Sequence, residues 1–292
     1  MSVQKLIPYC RSAIWGGSTF KKAFESPLAN VAEAWVWSGI KGAESHLANG
    51  EPLKDERMLV KLLDAAGYLS VQVHPSESAN KAKTEMWYIL SADEGAFVYL
   101  GVADFCAFLA ALTKGEDPTP YLNKIFVKAG DVLYIPAGTV HALGKGIRLL
   151  EMQQASDVTY RLYDFGRTDA NGAKRELHIE KGLAAAKDLS PAACEKLRFE
   201  KGKSPLFCRS LENAQADLLA HSRFFACERV RLFGGRANLF AKTPTCAVVT
   251  EGSLVVNGIL YPTYTPLFLQ GQATVSGDGE IVLCASDEGA KE

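Results

Sequence analysis

Short apolar runs separated by glycine, proline, asparagine and aspartate occur along most of the chain. Runs of this length and spacing are typical of β-strands joined by turns, and they predict a mainly β protein. Asn257-Gly258 and Asp278-Gly279 are tight-turn signals between strands. The runs are Ala34–Ile40, Met58–Ala65, Leu69–His74, Glu85–Leu90, Ala96–Gly101, Lys124–Val127, Val132–Ile135, Leu149–Met152, Thr159–Tyr163, Phe224–Leu232, Cys246–Thr250, Ser253–Val256, Thr265–Leu269, Ala273–Val275 and Ile281–Ala285.

Helical periodicity is confined to a few segments. Ser76–Lys83 follows Pro75 and predicts a short helical turn, and Ala103–Ala111 ends before a Lys-Gly-Glu-Asp-Pro breaker. Arg175–Leu189 and Pro191–Leu197 also have helical spacing, with Pro191 suited to a first turn. Helices are therefore expected beside or between the β-rich parts of the chain.

The distribution of histidine suggests two β-rich domains. Residues 1–200 contain the paired His and Glu signals described below, whereas the tail has the single histidine His221. We expect two jelly-roll β-barrels, with a small helical segment between or beside them. Residues 1–200 would bind metal and residues 201–292 would form a smaller, metal-free domain, with a boundary between Leu197 and Phe207.

Composition and charge narrow the class of protein. The 292 residues are 48% hydrophobic and carry a formal net charge of −1, without a Lys/Arg run longer than two. Nucleic acid and anionic membranes are therefore not expected partners. The start of the chain has no apolar signal-peptide core, and no apolar stretch is long enough to span a bilayer. Seven scattered cysteines without a CxxC pair predict reduced thiols in a cytoplasmic protein.

Three separate runs supply potential metal ligands. Gln72 and His74 alternate on one strand and so face the same side, while Glu85 begins a later strand. His141 ends the sequence Gly130–His141, which has the Gly-x5-Pro-x-Gly-x2-His spacing of a cupin motif. Two imidazoles, a carboxylate and an amide, without a thiolate, suit a catalytic zinc with an open position. Gln72 would either bind the metal or support another ligand.

The chain resembles type I mannose-6-phosphate isomerases of the short bacterial form, which are cupins. The resemblance covers roughly the first 180 residues and is weaker beyond them. Its most diagnostic parts are the Gln-x-His-Pro and Ser-Asp-x-x-x-Arg blocks. It rests on Trp15-Gly16-Gly17, Ala32-Glu33-Ala34-Trp35, Leu69–Pro75, Lys83–Tyr88, Gly130–His141 and Glu151–Arg167.

The resemblance implies specific roles for several residues. It implies that Gln72, His74, Glu85 and His141 hold one zinc ion. Lys83 matches the family's active-site lysine, Arg161 its catalytic arginine, and Asp157 also matches. Ala34 and Val36 depart from the pattern, because the family usually has Ser and Glu there.

The implied reaction interconverts D-mannose 6-phosphate and D-fructose 6-phosphate through a cis-enediol. Negative charge develops on a substrate oxygen, which a metal and a fixed cation such as Arg161 would stabilise. Arg161 could instead pair with Asp157 or Asp164, and Lys83 could be a solvated loop lysine. Trp15 and Ser76 are candidates for sugar and phosphate contacts, although a core tryptophan and a turn-capping serine would explain them equally.

Two other functions remain open at this level. One is a different metal-dependent cupin enzyme acting on a sugar, and Gln72 in the first ligand position is unlike the His-x-His pair of oxygenase cupins. The other is a non-catalytic regulator that binds a sugar phosphate, for which a complete ligand set would be unnecessary. The expected partner in each case is a small sugar or sugar phosphate, and the sequence does not indicate an oligomeric state.

Overall fold

The computed structural model describes residues 2–75, 82–168, 171–187 and 206–286. Strands make up 54% of the described residues and helices 10%, which confirms a mainly β protein. The strands are β1 (Ser2–Ile7), β2 (Tyr9–Arg11), β3 (Glu33–Trp37), β4 (His46–Leu47), β5 (Met58–Ala65), β6 (Val71–Val73), β7 (Glu85–Ala92), β8 (Phe97–Val102), β9 (Leu122–Phe126), β10 (Val132–Ile135), β11 (His141–Leu143), β12 (Ile147–Gln154), β13 (Tyr160–Tyr163), β14 (Cys208–His221), β15 (Phe225–Val256), β16 (Ile259–Pro262) and β17 (Pro266–Ser286).

Within the described residues, three helices and a short 3-10 turn accompany these strands. The helices are α1 (Thr19–Ala23), α2 (Phe105–Lys114) and α3 (Ile179–Ala185), and the 3-10 turn is Thr119–Tyr121. The side chain of Asp104 caps α2, and Gly115 ends it in a left-handed conformation. Helix α3 is shorter than the predicted Arg175–Leu189, and the predicted Pro191–Leu197 helix lies outside the described residues.

Two antiparallel sheets form the N-terminal part of the protein. One has the strand order β10-β7-β12-β5-β3-β2 and the other β13-β6-β11-β8-β9. They pack against each other through a shared apolar cluster that includes Trp87 and Leu149 from the first sheet and Val98 and Leu143 from the second. The alternation of side chains on each strand leaves polar residues facing the same space at one end, where the candidate site lies.

The third sheet contains most of residues 206–286. Strand β17 pairs along part of its length with both arms of the long, bulged strand β15. Strands β14, β16, β1 and β4 complete the sheet. Residues Ser2–Lys5 of β1 pair with 267–270 of β17, so the first and the last of the described strands meet in this sheet. The two-barrel description and the division at residue 200 remain predictions.

The two turn predictions had different outcomes. Val256 pairs with Ile259, and the intervening Asn257 and Gly258 have φ angles of 48° and 85°, which confirms the tight turn. The turn predicted at Asp278-Gly279 is wrong, because both residues lie within β17. A Cβ on Gly279 would approach the Glu251 carbonyl oxygen to 2.4 Å, so this glycine permits close strand contact.

Helices long and apolar enough to cross a membrane do not occur among the described residues.

Candidate metal and substrate site

Strand register brings three predicted site residues into one row. Gln72 on β6 lies opposite His141 on β11 on one side and opposite Arg161 on β13 on the other. Directly opposite residues in antiparallel strands project from the same face of a sheet. Val71 and Val73, the neighbours of Gln72 on β6, face the other way into an apolar cluster.

A glycine turn positions His141. Gly138 has a φ angle of +83°, and a Cβ there would lie 2.7 Å from the Ala185 carbonyl oxygen. The backbone N–H of Gly138 donates to the carbonyl of His74 at 3.2 Å. This hydrogen bond connects the Pro-x-Gly turn to His74, the residue that follows β6.

The side chains of His74, Glu85 and His141 form a buried group capable of holding a metal ion. One ligand atom from each lies within 4.8 Å of the others. Oε1 of Glu85 is 3.1 Å from Nε2 of His141 and 3.5 Å from Nε2 of His74. Such convergence of two imidazoles and a carboxylate fits zinc.

Hydrogen bonds orient both imidazoles toward this group. Nδ1 of His74 lies 2.9 Å from the Val158 carbonyl oxygen, and Nδ1 of His141 lies 2.9 Å from the Thr139 carbonyl oxygen. A carbonyl can only accept, so each Nδ1 carries the proton and each Nε2 presents a lone pair to Glu85. Histidines that bind metals commonly have this arrangement.

Electrostatics also favour a bound cation. Neither oxygen of the fully buried Glu85 accepts a well-formed hydrogen bond within the described part of the chain. Burial opposes ionisation, but the ammonium of Lys83, 3.0 Å from Oε2, outweighs it and holds the pKa of Glu85 well below its ordinary value. Burial, together with Lys83, lowers the pKa of His74 to about 3. An ionised carboxylate beside a neutral imidazole is the protonation state that metal binding requires.

Gln72 reaches the same group with its amide. Its Nε2 lies 3.2 Å from Nε2 of His141, and its Oε1 lies 3.4 Å from the Ser70 hydroxyl. A half-turn of the amide would exchange the two atoms and bring the oxygen toward the histidines. In this orientation the oxygen of Gln72 faces Ser70, and its role as a metal ligand stays a prediction.

Lys83 is a buried neighbour of the three ligands. Its side chain is 4% exposed, and Nζ lies 3.0 Å from Oε2 of Glu85 and 3.2 Å from Nε2 of His74. The alternative of a solvated loop lysine is therefore wrong.

Arg161 lies at the edge of the same space. It donates from Nη1 to the Glu176 carbonyl at 2.8 Å, while its buried Nε has no partner among the described residues. Burial and the neighbouring Arg175 lower its pKa. Asp164 pairs with Arg167 and Arg175, so it does not serve as the ion-pair partner considered for Arg161.

A cavity of about 440 Å³ is lined by Gln72 and Lys83, whose side chains contact the candidate ligands His141, His74 and Glu85. Arg161 also lines it, together with Trp15 and Asp157. Trp15 is also part of the apolar core and is 4% exposed, so its position agrees with a core tryptophan as well as with a sugar contact. Ser76 lies outside the described residues, as does most of the segment predicted to form a helix after Pro75.

Three further charged residues line the cavity and were not among the predicted site residues. Lys61 on β5 lies between Glu33 on β3 and Glu151 on β12, with Nζ–Oε distances of 3.4 and 3.2 Å. Burial opposes the charge on Lys61, but Glu151 and Glu33 raise its pKa above the ordinary value. The available signal was a lysine with apolar neighbours on both sides in the predicted strand Met58–Ala65 and a glutamate in the otherwise apolar run Leu149–Met152.

Comparison with known proteins identifies relatives over most of the chain. A mannose-6-phosphate isomerase of Streptococcus mutans is 36% identical over 250 residues, covering 76% of each chain. The isomerase ManA of Bacillus subtilis is 30% identical over 287 residues, covering 87% of this chain and 88% of its own. A scan against protein-family models found no match.

Solved structures support the same relationship. The crystal structure of the mannose 6-phosphate isomerase of Bacillus subtilis superposes with a TM-score of 0.83 at 27% identity, covering 98% of this chain and all of its own. A mannose 6-phosphate isomerase bound with zinc and yttrium gives a TM-score of 0.72 at 16% identity, which shows a shared fold. From the sequence identity and the coverage, the chain belongs to the mannose-6-phosphate isomerase family.

Proposed function

We propose that the protein is a zinc-dependent isomerase that interconverts D-mannose 6-phosphate and D-fructose 6-phosphate. The observation that carries this proposal is the buried group of His74, Glu85 and His141 beside a cavity lined by Lys83, Glu151 and Arg161. Membership of the isomerase family supports the reaction and the sugar phosphate substrate. The donor set, in which both Nε2 atoms face an ionised carboxylate, supports the metal.

His74, Glu85 and His141 would hold zinc, with Gln72 as the fourth protein ligand after its amide turns. The bound ion would act as a Lewis acid toward the oxygens on C1 and C2 of the sugar. Glu85 would balance part of its charge, and the two backbone carbonyls would keep the imidazoles in place.

Isomerisation also needs a group that moves a proton between C1 and C2. Glu151 is suited to this role, because it lines the cavity and its buried Oε1 is paired, among the described residues, only with the ammonium groups of Lys61 and Lys83. Lys83 Nζ, 3.9 Å from that oxygen, would donate to the substrate oxygen on which charge develops. Arg161 would stabilise the same negative charge from the opposite sheet.

The substrate phosphate would occupy the cationic part of the cavity. Arg11 and Arg175 both line it. Guanidinium groups bind phosphate oxygens in a planar, bidentate manner, so these side chains suit a phosphorylated sugar. Asp157 and Trp15 would contact the sugar hydroxyls and ring from the same wall.

A cytoplasmic location is part of the proposal. The six cysteines among the described residues are free thiols, which is the usual state in a reducing compartment.

Proton NMR of the purified protein with mannose 6-phosphate in D2O tests the proposed reaction. An enediol route predicts fructose 6-phosphate together with deuterium incorporation at the carbon that exchanges its proton. Binding without turnover would favour the regulator. Turnover of unphosphorylated mannose alone would point to a different sugar isomerase.

A further inference from the structure

The buried indole of Trp87 connects the two halves of the site. Trp87 lies on β7 directly opposite Glu151 on β12, and Nε1 donates to Oε2 of Glu151 at 2.8 Å. The same ring packs edge-to-face against His141, with 5.4 Å between centroids and an interplanar angle of 81°. One rigid side chain therefore contacts both a candidate metal ligand and the cavity carboxylate.

The two oxygens of Glu151 have different surroundings. Oε2 accepts the indole hydrogen bond, whereas Oε1 lies 3.2 Å from Lys61 Nζ and 3.9 Å from Lys83 Nζ. Because Oε2 is engaged, a proton transferred to Glu151 would be received by Oε1, the oxygen beside the two ammonium groups. The indole hydrogen bond thus selects which oxygen is available for reaction.

An indole is suited to this task because it is a donor only and does not titrate near neutral pH. It can hold a carboxylate in one rotamer without exchanging a proton with it. Lys61 is a weaker anchor for Glu151, because its ammonium is shared with Glu33. Trp87 is 1% exposed, so water does not compete for the hydrogen bond.

We propose that Trp87 is a positioning residue that acts through Glu151, fixing the carboxylate so that Oε1 faces the substrate. This inference rests on the proposed isomerase function, and it predicts a loss of kcat with little change in KM when the indole N–H is removed. Misplacement of a reacting group by about 1 Å can reduce a rate about 100-fold.

The chain offers a matched control for substitution. Trp37 is also fully buried, but its Nε1 has no hydrogen-bond partner among the described residues, and its ring stacks on Phe268 away from the cavity. Trp37→Phe and Trp87→Phe therefore remove the same atoms from buried sites. Only the second substitution removes a donor to Glu151.

A double-mutant cycle in the zinc-loaded enzyme separates positioning from general disruption. We expect Trp87→Phe to lower kcat about 100-fold, with zinc content retained, and Trp37→Phe to leave kcat within about twofold of the wild type. In a Glu151→Gln background, Trp87→Phe should have less than about a twofold further effect. An equal fold-loss in both backgrounds, or equal losses for the two tryptophan variants, would overturn the proposal.

A second readout does not depend on activity. In nitrogen-15 spectra of the metal-free protein, Glu151→Gln should shift the Trp87 indole N–H signal and speed its hydrogen exchange, while the Trp37 signal stays in place. An unaffected Trp87 signal would overturn the proposed pairing. If the signal shifts as expected but the wild type does not isomerise mannose 6-phosphate, the proposed function fails while the indole–carboxylate pairing stands.

Discussion

The ammonium of Lys83 lies 3.0 Å from Oε2 of Glu85, next to the oxygen that faces both histidines. The Glu85 carboxylate therefore pairs with the Lys83 ammonium through one oxygen and faces the candidate metal site with the other. Strand β7 begins at Glu85. Thr84, between Lys83 and Glu85, accepts a hydrogen bond from the Ala137 N–H through its hydroxyl, which fixes residues 83–85 against the Pro-x-Gly turn. Lys83 is thus held close to the ligands.

Replacement of Lys83 by methionine should separate metal binding from turnover. Removal of a positive charge beside Glu85 should tighten zinc binding, by about tenfold for a change of about 1.4 kcal/mol. The rate should nevertheless fall about 100-fold or more, because a donor to the developing oxyanion is lost. Zinc competition with a chromogenic chelator and steady-state kinetics measure the two effects. The exposed Lys242→Met is the control, and an active Lys83→Met enzyme would place this lysine outside the reaction.

Arg161→Ala tests whether this arginine acts on the substrate. Its side chain donates to one backbone carbonyl and has a buried Nε without a partner among the described residues, so its loss should leave the fold and zinc content largely intact. We expect kcat/KM to fall about 100- to 1,000-fold. The surface variant Arg209→Ala should behave as the wild type. An unchanged rate would assign Arg161 a structural role.

Asp164 provides a prediction for stability against pH. Burial opposes its ionisation, but hydrogen bonds from Arg175 and Arg167 outweigh this and lower its pKa. A depressed carboxylate pKa stabilises the folded state above the unfolded-state value of about 3.9, and this stability is lost as the pH falls through the folded-state pKa. Asp164→Asn should therefore lower the free energy of unfolding by about 2 kcal/mol at pH 7.

Urea unfolding at several pH values checks this difference. The difference in free energy of unfolding between Asp164→Asn and the wild type should become smaller as the pH is lowered below about 4. Glu251→Gln is the control, because Glu251 pairs with Arg231 at the surface, where ion pairs contribute little. A difference in free energy of unfolding that is independent of pH would mean that Asp164 does not stabilise the fold through its charge.

Tyr88 links the strand of Glu85 to the C-terminal sheet. Its hydroxyl donates to Oε1 of the buried Glu280 on β17 at 2.7 Å, and Thr250 donates to the same oxygen at 2.8 Å. Tyr88→Phe should lower the free energy of unfolding by about 1–3 kcal/mol, because Glu280 loses a buried donor. Thermal unfolding compared with Tyr261→Phe measures this effect. Equal stability of the two variants would argue against the link.

The sequence predicted which residues converge at the candidate metal site better than it predicted their surroundings. His74 and His141 occur in local motifs whose turn and strand geometry can be read from a few neighbouring residues, and the structure brings both to Glu85. Lys61 and Glu151 were missed because their meeting depends on the register of β5 against β12. Register between distant strands is set by tertiary packing and does not appear in local spacing.

Long-range pairing also explains the errors in the C-terminal part. Asp278-Gly279 has the composition of a turn, but β17 continues through it because both arms of β15 pair there. Likewise, the pairing of β1 with β17 joins the two ends of the chain, which local patterns do not indicate.

The most direct test of the proposed function is a coupled assay of fructose 6-phosphate production from mannose 6-phosphate, run before chelation, after chelation and after zinc is restored. We predict activity that is lost with the metal and recovered with zinc. His141→Ala should lack both bound zinc and turnover, and the exposed His221→Ala should retain both. Undiminished turnover in fully metal-free protein, or in His141→Ala, would contradict the proposed zinc site. A zinc-loaded wild type without turnover would contradict the proposed reaction.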